Sequence, residues 1–232
     1  MIYPSIVNPL RWTIEEKAKR EIYKCQHRHS GITHPVCYNE AYNIKERVVC
    51  VDIEAGGLKA DYEILYAWCI KPLKGEIISA MLSESDLKRG QFDRRIVKEF
   101  IKEIWNYDRV IAHYGFDYHF DIPFIRSRAL TLGLGEDFPG YGMMWRTDVW
   151  SIAKAKMALS SNRQGKLGWF LHGKDIKTYL DANVWRNFRY LRGNERKLAA
   201  DKIMKHCKND VMQLEQNYLA VRKFIKERRV SW

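Results

Sequence analysis

The order of hydrophobic patterns along the chain predicts an α/β domain built on a mixed sheet. Three short apolar runs separated by turn residues come first, a helical period and a strand-like run alternate next, and the remainder reads mostly as helix. Composition agrees: 46% of the 232 residues are hydrophobic and 13% aromatic, enough to bury a core and to exclude general disorder. No apolar run approaches the roughly 20 residues of a membrane helix. The opening Met1-Ile2-Tyr3-Pro4 lacks the charged, apolar, small-residue order of a signal peptide, so a cytoplasmic protein without a membrane partner is expected.

Each element has its own signal. Residues 13–23 read as a helix, with Thr13 as cap and Glu16 three residues later. A Cys/His-rich loop follows over 25–38. Residues 48–51, 63–70 and 76–82 are compact strand-like runs, separated by Gly56-Gly57 and by Pro72-Leu73-Lys74-Gly75, and short links of this kind predict an antiparallel meander. Residues 93–107 carry apolar side chains at Ile96, Val97, Phe100, Ile101, Ile104 and Trp105, a helical period; 109–113 reads as a strand and 123–132 as a helix. From Asp148 onward the chain reads as mostly helical, ending in a long pattern through Ile203, Cys207, Val211, Leu214, Tyr218 and Ile225. The expected boundary lies between an N-terminal segment, 1–47, and a main domain, 48–232.

Forty Lys and Arg against 28 Asp and Glu give a net charge of +12. Residues 161–232 hold 17 basic and 7 acidic side chains, so nearly all the excess sits in the last third. A phosphate polyanion is the partner that rewards such a surface, and a solvated basic face kept for solubility explains the charge equally well. Five cysteines make no even disulfide framework; Cys50 and Cys69 fall in strand-like runs, and Cys207 in a helical pattern.

Asp52 and Glu54 stand two apart at the end of the first apolar run, so on a strand both point to one face while Ile53 points to the other. Paired acids repel unless a cation lies between them, the arrangement a hard divalent metal uses. Asp121 opens the Asp-Ile-Pro-Phe-Ile stretch, where Pro123 marks an early helical position, so the residue reads either as a site acid or as a helix cap. His206 and Asp210 are four apart in a helical pattern and share a face.

In the stretches VVCVDIEAGGL, HYG with FDIPFIRSRAL, RTDVWSIAKAKMALSSNRQG and HCKNDVMQLE, the sequence resembles the ribonuclease-H-like 3′–5′ exonucleases with Asp-Glu-Asp-Asp sites. The superfamily includes polymerase proofreading domains, and the chain looks most like a branch of predicted exonucleases of bacteria, archaea and phages with a Cys/His-rich N-terminal segment. The resemblance runs from Val48 to about Phe224. It implies a ribonuclease-H-like exonuclease domain over 48–232, with Asp52 and Glu54 as the first motif, Asp121 as the second and Asp210 as the third. Asp117 is a rival for the second motif but lacks the following Ile-Pro-Phe.

The implied function is 3′–5′ hydrolysis of DNA or RNA phosphodiesters, with a single strand or a 3′ end as the expected nucleic-acid partner. Two Mg²⁺ or Mn²⁺ ions held by the four acids would activate water and stabilise the leaving oxygen. Alternatives are a structure-selective endonuclease on the same fold and a non-catalytic nucleic-acid-binding module. His206 departs from the pattern: it lies four positions before the last Asp, the spacing of the tyrosine class, where the histidine class uses five. An imidazole there can still act as general base.

Cys25, His27, His29, His34 and Cys37 place five soft donors within 13 residues, enough for a tetrahedral structural zinc. The expected ligands are Cys25, His29, His34 and Cys37, with His27 in reserve. Asp148 reads as a helix cap that also matches an acidic position following the second motif of the resembled family. Ser160, Ser161, Asn162 and Arg163 read as a helix-start cluster that could also bond a nucleic-acid backbone. Trp169, Trp185 and Tyr190 read as packing residues before base-stacking ones.

Overall fold

The computed structural model describes residues 12–90, 92–117 and 119–224, and the backbone of 230–231; residues 1–4 and Ile225, both used above, lie outside the described residues. In chain order the elements are α1 (Ile14–Ile22), α2 (Pro35–Ala41), β1 (Val48–Ala55), β2 (Leu65–Pro72), β3 (Ile78–Met81), α3 (Glu84–Lys88), α4 (Arg94–Ile104), β4 (Arg109–Ala112), α5 (Asp121–Thr131), β5 (Trp145–Asp148), α6 (Val149–Lys156), α7 (Gln164–His172), α8 (Ala182–Asn187), α9 (Gly193–Val221) and β6 (Val230–Ser231). The strands form one mixed sheet in the order β3-β2-β1-β4-β5-β6. The meander β1–β2–β3 is antiparallel as its short links predict, whereas β4 and β5 run parallel to β1.

Three elements differ from the sequence reading. The second half of the Cys/His loop is helical, because Pro35 occupies the first turn of α2, where its missing N–H costs nothing. β5 has no counterpart in the sequence reading: Trp145-Arg146-Thr147-Asp148 is too short and polar to show an apolar run, and it is a strand because β4 pairs along its whole length. α3 is a single capped turn, with Ser83 and Asp86 forming a capping box.

Strand parity organises the core. Val49, Val51 and Ile53 of β1 join one buried cluster with Ile96, Val97, Phe100, Ile101 and Ile104 of α4. The alternate residues face α9, where Cys50 packs with Leu214 and Tyr218, and Cys69, opposite Asp52 in register, packs with Cys207 and Val211. Asp52 and Glu54 share that parity, so the alternation that fills the core also aims both acids at α9.

Asp93, at the cap position of α4, makes no cap bond. Its buried carboxylate instead receives Arg128 of α5 at 2.7 and 2.8 Å and the Leu65 N–H at 2.8 Å, tying the starts of α4 and β2 to α5. Asp93→Ala would strand both the guanidinium and that N–H, at a cost of about 3–5 kcal/mol. Urea unfolding measures it, and a loss below about 1 kcal/mol would show that water or a relaxed Arg128 replaces the pair.

The N-terminal segment is docked on this domain. Arg20 is buried against the rings of Trp12 and Tyr38 and donates to Asn39, whose amide donates to Asp108 at 3.1 Å; Arg47 pairs with the same carboxylate. Among the described residues no helix is long and apolar enough to cross a membrane.

Candidate active site

A cleft of about 1300 Å³ opens on the α9 side of the sheet, and Asp52, Glu54, Asp121, His206 and Asp210 all line it. Asp52 and Glu54 come from β1, whose ladder shifts register between Glu54 and Ala55, a bulge of the kind that re-aims side chains at sites. Asp121 is the first residue of α5, one past the cap position held by Phe120, and is buried with its carboxylate on the Ile53 backbone. Gly115 lets it in: a Cβ there would lie 2.5 Å from Asp121 Oδ2 and 2.4 Å from Ala112 Cβ. Asp117, the rival, is surface-exposed and paired with Arg146. Asp210 is buried on α9, one turn beyond His206.

His206 is fixed from behind. Its Nδ1 is 2.9 Å from Thr178 Oγ1, and its Nε2 faces the acids, 3.8 Å from Glu54 Oε1 and 3.9 Å from Asp210 Oδ2. Burial keeps the imidazole below its ordinary pKa, with Asp210 opposing. The i,i+4 spacing on an uninterrupted helix therefore puts the base candidate and the last acid on one face.

Burial, then Asp210, Glu54 and Asp121, push the Asp52 carboxyl well above the usual carboxylate range. Burial and then Asp210 do the same to Glu54, and burial carries Asp121 to about 8 against the pull of the Ile53 N–H. Such a group of acids holds its charge only with cations among them. The chain supplies one: Lys177 donates to Asp210 Oδ2, and Asp210 and Asp52 hold the ammonium above its usual value despite its burial. Lys177 escaped the sequence reading because nothing in Gly173-Lys174-Asp175-Ile176-Lys177 sets it apart from the other 39 basic residues.

One lysine does not complete the site. Asp52 Oδ2 and Asp210 Oδ1 are buried without a hydrogen-bond partner, oxygens free to bind a hard cation. Asp52, Glu54 and Cys207 offer donor atoms within 4.8 Å of one another, but the Cys207 thiol is buried, raised far above its ordinary pKa and directed at the Asp52 carbonyl. With the thiol donating to that carbonyl, the acids form an all-oxygen donor set.

Comparison with known proteins agrees with this architecture. A sequence model of the RNase H superfamily (RNase_H_2) matches residues 49–220. The chain belongs to the RNase H superfamily. Its mixed sheet, with α4 and α9 on opposite faces, is the RNase H-like fold. A solved structure that it resembles is the family B DNA polymerase of the hyperthermophilic archaeon Pyrobaculum calidifontis, with a TM-score of 0.57 and 14% identity; the match covers 75% of this chain but only 25% of the polymerase. No curated protein matches the sequence. The RNase H superfamily uses divalent metals for nuclease chemistry, and the acids of this cleft fit that donor requirement.

The remaining candidates fall around or outside this RNase H-like cleft. Asp148 caps α6 through the Trp150 and Ser151 N–H groups and also accepts from Tyr114 N. Ser161 and Arg163 line the cleft, but the Asn162 carbonyl is engaged with His113 Nε2 at 2.9 Å. Burial drives His113 to a pKa of about 4, so it is neutral. Trp169 and Tyr190, expected to pack inside, are 57% and 64% exposed, and Trp169 lies in the cleft; Trp185 is half-buried with its ring 5.7 Å from that of His206.

At the other end of the sheet, Cys25, His27, His29 and His34 bring donor atoms within 4.8 Å of one another, and Cys37 Sγ is 3.0 Å from His34 Nδ1. His27 thus stands inside the donor group, and Cys37 lies outside it, in contact with His34. The His34 ring lies against Gly142, whose φ of +79° and missing Cβ let the backbone approach it.

Proposed function

We propose that the chain is a metal-dependent 3′–5′ exonuclease acting on DNA or RNA, with Asp52, Glu54, Asp121 and Asp210 as metal ligands and His206 as general base. The observation that carries this reading is the gathering in one cleft of four buried or half-buried acids, two with unpartnered oxygens, with an imidazole beside Glu54 and Asp210 whose second nitrogen is already occupied. Oxygen donors of this kind suit Mg²⁺ or Mn²⁺. When bound, two such ions supply Lewis-acid stabilisation of the charge that develops on the attacking and leaving oxygens. The rest falls to the chain. Thr178 holds His206 so that Nε2 accepts the water's proton, Lys177 offsets part of the acids' charge, and Lys59, Arg163 and Lys166 on the cleft walls receive the nucleic-acid backbone.

A 5′-labelled oligonucleotide incubated with Mg²⁺ or Mn²⁺ tests the reading. Stepwise shortening from the 3′ end, with release of mononucleotides and arrest by EDTA, is expected. Cutting of a circular single strand would favour the endonuclease instead, and tight binding without cleavage the non-catalytic module. The free thiols Cys50, Cys69 and Cys207 are buried and unpaired, which suits a reducing, cytoplasmic setting.

For residues 1–47 we propose a zinc-binding unit. Cys25 is buried, four of the donors stand within 4.8 Å of one another and His34 Nδ1 lies 3.0 Å from Cys37 Sγ, so the donors are preassembled in a segment too short to bury a core of its own. Elemental analysis should find about one tightly held zinc per chain, and Cys37→Ser should release it and make the segment protease-sensitive. Carefully prepared protein without zinc, or full retention by Cys37→Ser, would refute the site; retention in His27→Ala alone keeps His27 outside the ligand set.

A further inference from the structure

Between the end of β4 and the start of α5 the chain makes a strained turn at the lip of the acid cleft. Tyr114 adopts φ +62°, a left-handed conformation that strains a non-glycine residue. Three contacts hold it there. Its N–H donates to Asp148 Oδ1 at 3.0 Å, its ring stacks on His119 with centroids 3.6 Å apart at 18°, and Trp150 meets it edge-on at 4.7 Å. The restraint does not hide the ring: Tyr114 remains 45% exposed, and it lines the cleft with Asp121 and Asp52. An exposed tyrosine by itself needs no explanation. One held by an aspartate and two rings in a strained turn, beside unpartnered carboxylates, does.

The rest of the cleft supplies the matching chemistry. Trp169, also exposed, carries the Lys166 ammonium 4.9 Å from its ring centroid, and Arg163 and Lys59 line the same space. Aromatic faces interleaved with cations recognise an unpaired strand, whose bases offer π-faces and whose phosphates offer charge. A duplex stacks those faces away internally.

Resting on the exonuclease reading and its single-stranded substrate, we propose that Tyr114 is the platform on which an unpaired base stacks beside the acid cleft and sets the register of the strand's end. His119 backs the ring from one side, and Asp148 positions it through the Tyr114 N–H. The platform contributes binding and register, and no proton.

The test is a coupling measurement that needs no turnover. Binding of a 5′-fluorescent single strand is followed by anisotropy with Ca²⁺ in place of Mg²⁺, with an abasic residue walked through the last three positions. For the wild type, one abasic position should weaken binding about 5- to 150-fold, the range of one lost base stack. Tyr114→Ala should lose the same factor with the intact strand and nothing further at that position, while Tyr114→Phe should behave as wild type. If Tyr114→Ala still discriminates fully against the abasic strand, or Tyr114→Phe loses the discrimination, stacking on Tyr114 is refuted while the exonuclease reading stands. If the wild type binds no oligonucleotide at all, that reading falls together with the platform.

Discussion

On the exonuclease reading, Asp52→Ala and Asp210→Ala should each lower nuclease turnover by about 10³-fold or more, because either would remove a ligand of metals that, when bound, supply several kcal/mol of transition-state stabilisation. The two variants should differ in stability. Asp52 is half-buried beside three other acids, and no hydrogen bond reaches its Oδ2. Removing it relieves repulsion and should leave the melting temperature unchanged or raised. Asp210 anchors Lys177 and lies under the Gln164 amide, which donates to its backbone carbonyl at 2.6 Å. Its loss leaves a half-buried ammonium with weaker partners, so Asp210→Ala should melt somewhat lower. Turnover of a labelled oligonucleotide in Mn²⁺, alongside thermal unfolding, separates the two effects. Wild-type rates in both variants would end the two-metal reading.

His206→Ala should reduce kcat by about 10²–10⁴, the usual scale for a positioned base, with little change in KM or in metal affinity. The geometry makes this specific. Nδ1 is committed to Thr178 and Nε2 is directed at Glu54 and Asp210, so the ring cannot flip without losing the Thr178 bond. Thr178→Val should therefore reproduce part of the loss through misorientation alone. His206→Tyr should retain more activity than His206→Ala, since the four-residue spacing places a phenol over the same acids. If His206→Ala keeps the wild-type rate from pH 6 to 9, the imidazole is only a packing partner of Trp185 and Asp210.

Much of this was legible in the residues themselves. The period-2 pattern of β1 placed Asp52 and Glu54 on one face, and the period-3.6 pattern of α9 placed His206 and Asp210 on one face, because strand and helix periodicities follow from backbone geometry alone. The meander, the cap at Thr13 and the cap at Asp148 were readable for the same reason: the signal and the structure lie within a few residues of each other. β5 was not readable, since four residues with two polar side chains are a strand only by virtue of their neighbour. Nor was the start of α5, where Asp121 rather than Pro123 opens the helix and its carboxylate reaches the Ile53 backbone of β1.

The sequence by itself determined which side chains could do chemistry, where they stood within their elements, and that five soft donors lay within reach of one another. Only the tertiary structure decided which charge stands among the acids and which aromatic side chains face the cleft. Lys177 reaches Asp210 across 33 residues of chain, and Tyr114 is held by Asp148 across 34. Contacts at such separations leave no local pattern in the sequence. They arise when the sheet brings β1, β4 and β5 side by side and α9 closes over one face, and the cost of burying carboxylates then selects the lysine that meets them.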